Sequence, residues 1–184
     1  MKSLLSLFLF SLILSSFNCS LFDFTLFNKM NKEKSGENLI ISPLSIYQVL
    51  SLTTNGAKRE TQKEMLDVLQ STNLEELNDI NYEILKTFKR FSTIEIANAV
   101  MTKFTPLEDF CTTADKYSAP IEPLESLEQV NKWCSDKTHG KIPKILEILE
   151  PETVMLLLNA IYFKREWEVQ FEKESTKNLT FYNL

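Results

Sequence analysis

Apolar residues recur along the first ninety positions at helical spacing and then change period. Phe24, Phe27 and Met30 predict a short amphipathic helix ending near Lys34, with Ser35-Gly36 as the turn. Leu39 to Ile41 reads as a short buried strand, and Ser42-Pro43 is a helix start, an N-cap followed by proline at the first helical position. Thr61 with Glu64 has the spacing of a capping box ahead of Met65, Leu66 and Leu69. Leu74, Leu77, Ile84, Phe88 and Phe91 continue along a longer helix. From Ile94 the pattern alternates: Ile94, Ile96, Asn98 and Val100 against Glu95, Ala97, Ala99 and Met101, a strand signature. Thr105-Pro106-Leu107-Glu108 opens another helix. Ser126 and Gln129 form a further capping pair ahead of the stripe Leu127, Val130, Trp133 and Cys134. Val154 to Phe163 is a nearly continuous apolar run, the pattern of a central strand covered on both faces. Helices first and strands later predict an α+β domain.

The first twenty residues follow a different logic. Lys2 precedes the apolar stretch LLSLFLFSLIL (Leu4 to Leu14), and small and polar residues follow from Ser15 to Ser20. This is the layout of a secretory signal peptide, too short for a bilayer span. A buried N-terminal helix is the other reading. We expect cleavage between Ser16 and Ser20 and a secreted, extracellular product comprising 21–184, with no membrane anchor. Removal of Cys19 leaves Cys111 and Cys134; export permits a disulfide, but two separate buried thiols fit their helical positions better.

Charge and composition exclude several classes. A net charge of −5 argues against a nucleic-acid partner, and 43% hydrophobic residues suffice for a core. Three glycines leave no phosphate loop, and one histidine with separated cysteines gives no zinc spacing, so no cofactor or metal is expected. His139 reads as a surface residue at a helix exit. Neither cysteine sits in a nucleophile motif, so nothing points to an enzyme. Glu75-Glu76 and Glu122/Glu125 read as solvated faces, as do Lys86, Lys89 and Arg90 beside Glu83. Asn178-Leu179-Thr180 is an N-glycosylation sequon.

Two segments, NLIISPLSI (Asn38 to Ile46) and VMLLLNAIYFKREWEVQF (Val154 to Phe171), resemble the serpin family, most of whose members inhibit serine proteases. Asn55-Gly56-Ala57-Lys58, Ile96-Ala97-Asn98-Ala99, Asn131-Lys132-Trp133 and Thr138-His139-Gly140-Lys141-Ile142 resemble further family motifs in the family's order. Arg165 stands where the family pattern has glycine. The resemblance implies that Ser42, Ser45 and Asn159 belong to the polar "shutter" that lets the main sheet part. It also implies that Trp167 marks the "breach" where a reactive loop enters the sheet. The same residues read equally as a helix cap, a satisfied core amide and a core aromatic.

The resemblance covers roughly the N-terminal half of a serpin, up to a point before the reactive loop. The expectation is therefore that these residues cannot inhibit a protease by themselves. In the family the loop is cleaved and inserted as a new strand, released from a strained fold. Val154 to Phe163 is expected to form a sheet edge open to self-association. The alternative function is a non-inhibitory interaction protein that binds a partner's strand there.

Overall fold

The computed structural model describes residues 19–91 and 93–180, so the apolar leader Leu4 to Leu14 lies outside the described residues. Helix α1 (Cys19–Glu33) closes in a turn at Gly36, whose φ of 86° suits a residue without Cβ. Its inward stripe is Phe22 and Leu26 rather than the expected Phe24 and Phe27, which stay exposed. Phe22 sets its ring edge-on to Tyr47 at 5.6 Å and so fixes the rotation of the helix.

Residues 38–42 form no regular element and pair with no strand, and Ile40 is 97% exposed. The expected strand over Leu39 to Ile41 is absent because no neighbouring backbone among the described residues takes up its hydrogen bonds. Helix α2 (Pro43–Gly56) starts as its sequence dictates, with proline at the first position and the Ser42 hydroxyl accepting from Ser45 N–H at 3.4 Å. Helix α3 (Arg59–Leu69) begins two residues before Thr61, with Lys58 at the N-cap and no side-chain cap. The expected capping box at Thr61 and Glu64 therefore lies inside the helix.

Helix α4 (Leu74–Phe88) is capped by Asn73, whose side chain accepts from Glu76 N–H at 3.0 Å. The Glu76 carboxylate in turn accepts from Thr72 N–H and the Thr72 hydroxyl, each at 2.7 Å. These bonds hold its pKa below the usual carboxylate value, the backbone donor first. Glu76 is thus part of a helix start rather than only a solvated face.

Three strands follow: β1 (Ile94–Thr102), the short β2 (Ile121–Pro123) and β3 (Met155–Phe163), in spatial order β2-β1-β3. β1 pairs parallel with β2 and antiparallel with β3, with Asn98 opposite Asn159. The sheet is mixed, and among the described residues β3 is an edge strand, with the short β2 at the other edge. Helix α5 (Glu108–Lys116) links β1 to β2, and helix α6 (Leu127–Lys137) links β2 towards β3.

Strand alternation divides the core in two. Ala99, Met101, Leu158 and Ala160 face α6, where Val130, Trp133 and Cys134 cover them. Val100, Leu157 and Met155 face the other way, onto Leu52, Leu85, Ala114, Tyr117 and Ala119. β3 is therefore covered on both faces, as its apolar run predicts, while its outer backbone edge carries no strand among the described residues. A third cluster, Phe22, Tyr47, Leu69 and Leu77, joins the helices α1 to α4.

Helix α6 has the cap its sequence predicts. The Ser126 hydroxyl accepts from Gln129 N–H at 3.1 Å, and the Gln129 side-chain carbonyl accepts from Glu125 N–H at 2.9 Å. The buried Asn131 then pins the irregular chain beyond the helix. It donates to Leu146 O at 2.9 Å and accepts from Ile145 and Leu146 N–H at 2.8 and 3.0 Å. Cys111 and Cys134 are both free, as separate thiols. Burial pushes the Cys134 thiol pKa up.

Candidate functional site

The strongest polar feature of the core lies between β1, β3 and the helix beneath them. Asn98 and Asn159 are register partners, so both amides project from the same face of the sheet towards α2. Asn98 donates through Nδ2 to Tyr117 O at 2.8 Å. A backbone carbonyl can only accept, so this bond fixes which way the Asn98 amide points. Its Oδ1 then accepts from Asn159 Nδ2 at 2.6 Å, and the same Nδ2 donates to Gln48 Oε1 at 3.2 Å.

One carbonyl thus orients three side-chain amides in sequence. At the far end of this row of amides, Gln48 Nε2 and Asn159 Oδ1 are buried with no hydrogen-bond partner among the described residues. Reversing the Gln48 amide does not help, because it would set an N–H2 group against Asn159 Nδ2. Nearly all buried polar groups in native proteins are paired with protein or ordered water, and this end of the junction is the less tied of the two by protein groups. The contrast with Asn131, whose amide is used on both sides, is plain.

Of the residues implied by the resemblance, Asn159 is in this junction. Ser42 and Ser45 lie at the start of α2, where they bond each other, Ser42 exposed and Ser45 half-buried. No hydrogen bond among the described residues joins either serine to Asn159. Trp167 follows β3 in irregular chain, 71% exposed, with its ring edge-on to Phe171 at 5.7 Å. Asn178 is exposed in the final irregular stretch.

Gln48 is the residue that sequence reasoning passed over. It sits 111 residues before its partner, and its one local signal is a large amide on the buried stripe Tyr47, Gln48, Ser51, Leu52. Ser51 satisfies itself by donating to Tyr47 O at 2.7 Å, and Thr54 does the same to Leu50 O at 2.7 Å. The free Nε2 of Gln48 makes no such bond.

A second polar link braces the helices under the sheet. Asn55 and Asn78 exchange reciprocal amide hydrogen bonds of 2.9 Å, and the Tyr117 hydroxyl donates to Asn78 Oδ1 at 2.8 Å. Burial first, then the nearby Tyr47, drive the Tyr117 pKa far above the ordinary tyrosine value. The unfolded chain releases that proton near pH ~10. Stability is therefore whole below that pH and falls as pH rises through it towards the folded-state value. Urea unfolding between about pH 9 and 11 should show a steeper loss for the parent than for Tyr117→Phe; parallel curves would remove Tyr117 as the cause.

His139, in the left-handed region at φ 51°, ends the α6 segment over the sheet. Its Nε2 lies 3.1 Å from both carboxylate oxygens of Glu95 on β1, and its ring packs 4.3 Å from that of Tyr162 on β3. It is half exposed, so the expected surface character holds, with a bracing contact added. Among the described residues no cluster of three metal-ligating side chains exists, and no helix is long and apolar enough to cross a membrane.

Comparison with known proteins accords with this architecture. A family model described as "Serpin (serine protease inhibitor)" matches residues 18–184. The leukocyte elastase inhibitor of Xenopus laevis is 31% identical over 179 residues, covering 89% of this chain and 48% of that protein. Iripin-2 of Ixodes ricinus is 32% identical over 166 residues, covering 80% and 42%. The crystal structure of the thermophilic serpin tengpin in the latent state is 38% identical with a TM-score of 0.72, covering 77% of this chain and 42% of that one. The chain thus spans about half the length of the relatives it matches. A family match over nearly the whole length, carried by the same helices and mixed sheet, places this chain in the serpin family.

Proposed function

We propose that this chain contributes the N-terminal half of a secreted inhibitor of serine proteases, one that works by inserting a cleaved loop into its sheet. The observation that carries the reading is the β2-β1-β3 sheet, whose strand β3 bears the Asn159 amide junction at its middle and pairs with no strand on its outer edge among the described residues. A strand arriving beside β3 would extend the backbone ladder. Ser42, Ser45 and Asn159 act in this reading as parts of the gate, with Trp167 at the point of loop entry. Residues 1–20 direct export, and Asn178 carries a glycan. Exposure of Asn178 and membership of an inhibitor family support these roles.

The loop belongs to the half of the relatives that these residues do not match. Residues 21–184 alone should therefore leave an elastase-type serine protease fully active and form no detergent-resistant complex with it. A band at the summed mass of the two proteins would overturn the proposal for this half. Expression of 1–184 in a secretory host tests the rest. The product should reach the medium and shift on treatment with peptide N-glycosidase, and Asn178→Gln should abolish the shift. Retention in the cells, or a shift that survives the substitution, counts against export or against that sequon.

A further inference from the structure

Helix α2 ends on Asn55-Gly56, and no other asparagine in the chain precedes a glycine. The pairing matters chemically. Glycine sets no side chain beside its own backbone nitrogen, so that nitrogen can approach Cγ of the preceding asparagine without steric hindrance. The buried amides Asn98 and Asn159 are each followed by alanine instead.

The fold holds the two atoms apart. Gly56 is the last residue of α2, which commits its nitrogen to the helical ladder. Asn55 Nδ2 donates to Ser51 O and to Asn78 Oδ1, each at 2.9 Å, and Asn55 Oδ1 accepts from Asn78 Nδ2 at 2.9 Å. Gln62 ties down the same turn from α3, donating to Ala57 O at 2.8 Å and to Thr54 O at 3.4 Å. Water nevertheless reaches the site, because Gly56 is exposed and Asn55 is only half-buried. Helix ends open locally at far lower cost than the whole fold.

We propose that Asn55 is a site of spontaneous deamidation, held in check by its pair with Asn78 and released when the end of α2 opens. The Gly56 nitrogen loses its proton to hydroxide and bonds to Asn55 Cγ; the Cγ–Nδ2 bond breaks, and Nδ2 leaves as ammonia with a proton from water. Water then adds to the cyclic imide. Cleavage on the Cγ side gives aspartate, and cleavage on the main-chain side gives isoaspartate. Either product is a carboxylate that can only accept, so the bonds to Ser51 O and Asn78 Oδ1 are not remade. Asn78 Oδ1 also accepts from the Tyr117 hydroxyl at 2.8 Å, which carries the disturbance to α5. The change is irreversible and loosens the contact that restrained it.

Peptide mass spectrometry of the chain aged at neutral pH tests this, with the urea-unfolded chain as the reference rate. Conversion at Asn55 should be at least about tenfold slower in the folded parent than in urea, and Asn78→Ala should recover about tenfold, the factor one lost hydrogen bond puts into an opening equilibrium. Tyr117→Phe leaves the Asn55–Asn78 pair intact and should stay much nearer the parent. Gly56→Ala should suppress conversion both folded and unfolded. Its φ is not positive, and the added Cβ would meet Phe110 at an ordinary 3.7 Å, so the fold survives. Where Asn78→Ala does not fold, Gln62→Ala replaces it, since it loosens the same turn from a half-exposed position. Equal rates in the folded parent and in urea would overturn the proposal, as would no conversion at all in the folded chain. A parental rate in the loosened variant, or unchanged conversion in Gly56→Ala, would do so too.

Discussion

Replacing Asn98 by alanine should lower the stability of the fold by about 3 kcal/mol, read as the shift in the urea unfolding midpoint. Asn98 is the only one of the three junction amides that is bonded on both sides. Its loss strips the donor from Tyr117 O and the acceptor from the shorter of the two Asn159 bonds. Each buried polar group left unmade costs about 1 to 3 kcal/mol, and here two are created at once within the layer that joins β1, β3 and α5. Gln48→Met should behave in the opposite sense. It removes the one amide whose N–H2 is already orphaned, keeps the volume, and leaves Asn159 its 2.6 Å bond to Asn98. Its cost should stay below about 1 kcal/mol, and a small gain is compatible with the geometry. If Asn98→Ala were as mild as Gln48→Met, the carbonyl of Tyr117 would not be what orients the junction.

The second large effect is expected on the opposite face of the sheet. Trp133 is the largest side chain in the cluster that attaches α6 to Ala99, Met101, Leu158 and Ala160. Trp133→Ala should cost about 4 kcal/mol, transfer and cavity terms together. The small residues Ala99 and Ala160 cannot swing in to fill the space. With a urea slope near ~2 kcal/mol/M for a domain of this size, the midpoint should fall by roughly 2 M. The substitution should also separate α6 from the rest. Backbone amides of Leu127–Lys137 should exchange with solvent sooner than those of β1, whose other face stays packed on Leu85 and Tyr117. Uniform acceleration across both elements would show that α6 and the sheet open only as one unit.

How far these features could be read from the chain depends on how local their causes are. Ser42-Pro43 and Ser126 with Gln129 start helices because the cap, the proline and the orphan N–H groups lie within a single turn of one another. The alternation from Ile94 to Val100 and the run ending at Phe163 identify strands because one face, or both, must be apolar. Thr61 and Glu64 misled because Arg59 enters the helix at φ 56° two residues earlier, a turn geometry no propensity favours at arginine. The stretch Leu39 to Ile41 misled for another reason: a strand is a property of two segments, and no second one among the described residues lies beside it. β2 was too short to show a period at all. The junction was half legible. Asn159 stands out as a polar interruption of an apolar run, but its bonds to Asn98 and Gln48 span 61 and 111 residues, and only the folded sheet brings them together.

Those separations also set an order of events in time. β1 finds its antiparallel neighbour only after β3 has been made, and Asn98 and Asn159 lie 61 residues apart. At about 5 to 20 residues per second on the ribosome, the wait is roughly 3 to 12 s, far longer than helix formation takes. Gln48 waits roughly 6 to 22 s for Asn159 by the same rate. Throughout that interval α1 to α4 can already pack around Tyr47 and Leu77, while β1 presents Val100 and Met101 with one long edge unmatched. The nascent chain therefore passes through a stage in which β1 is held but not yet answered, and that stage is where a chaperone has most to protect.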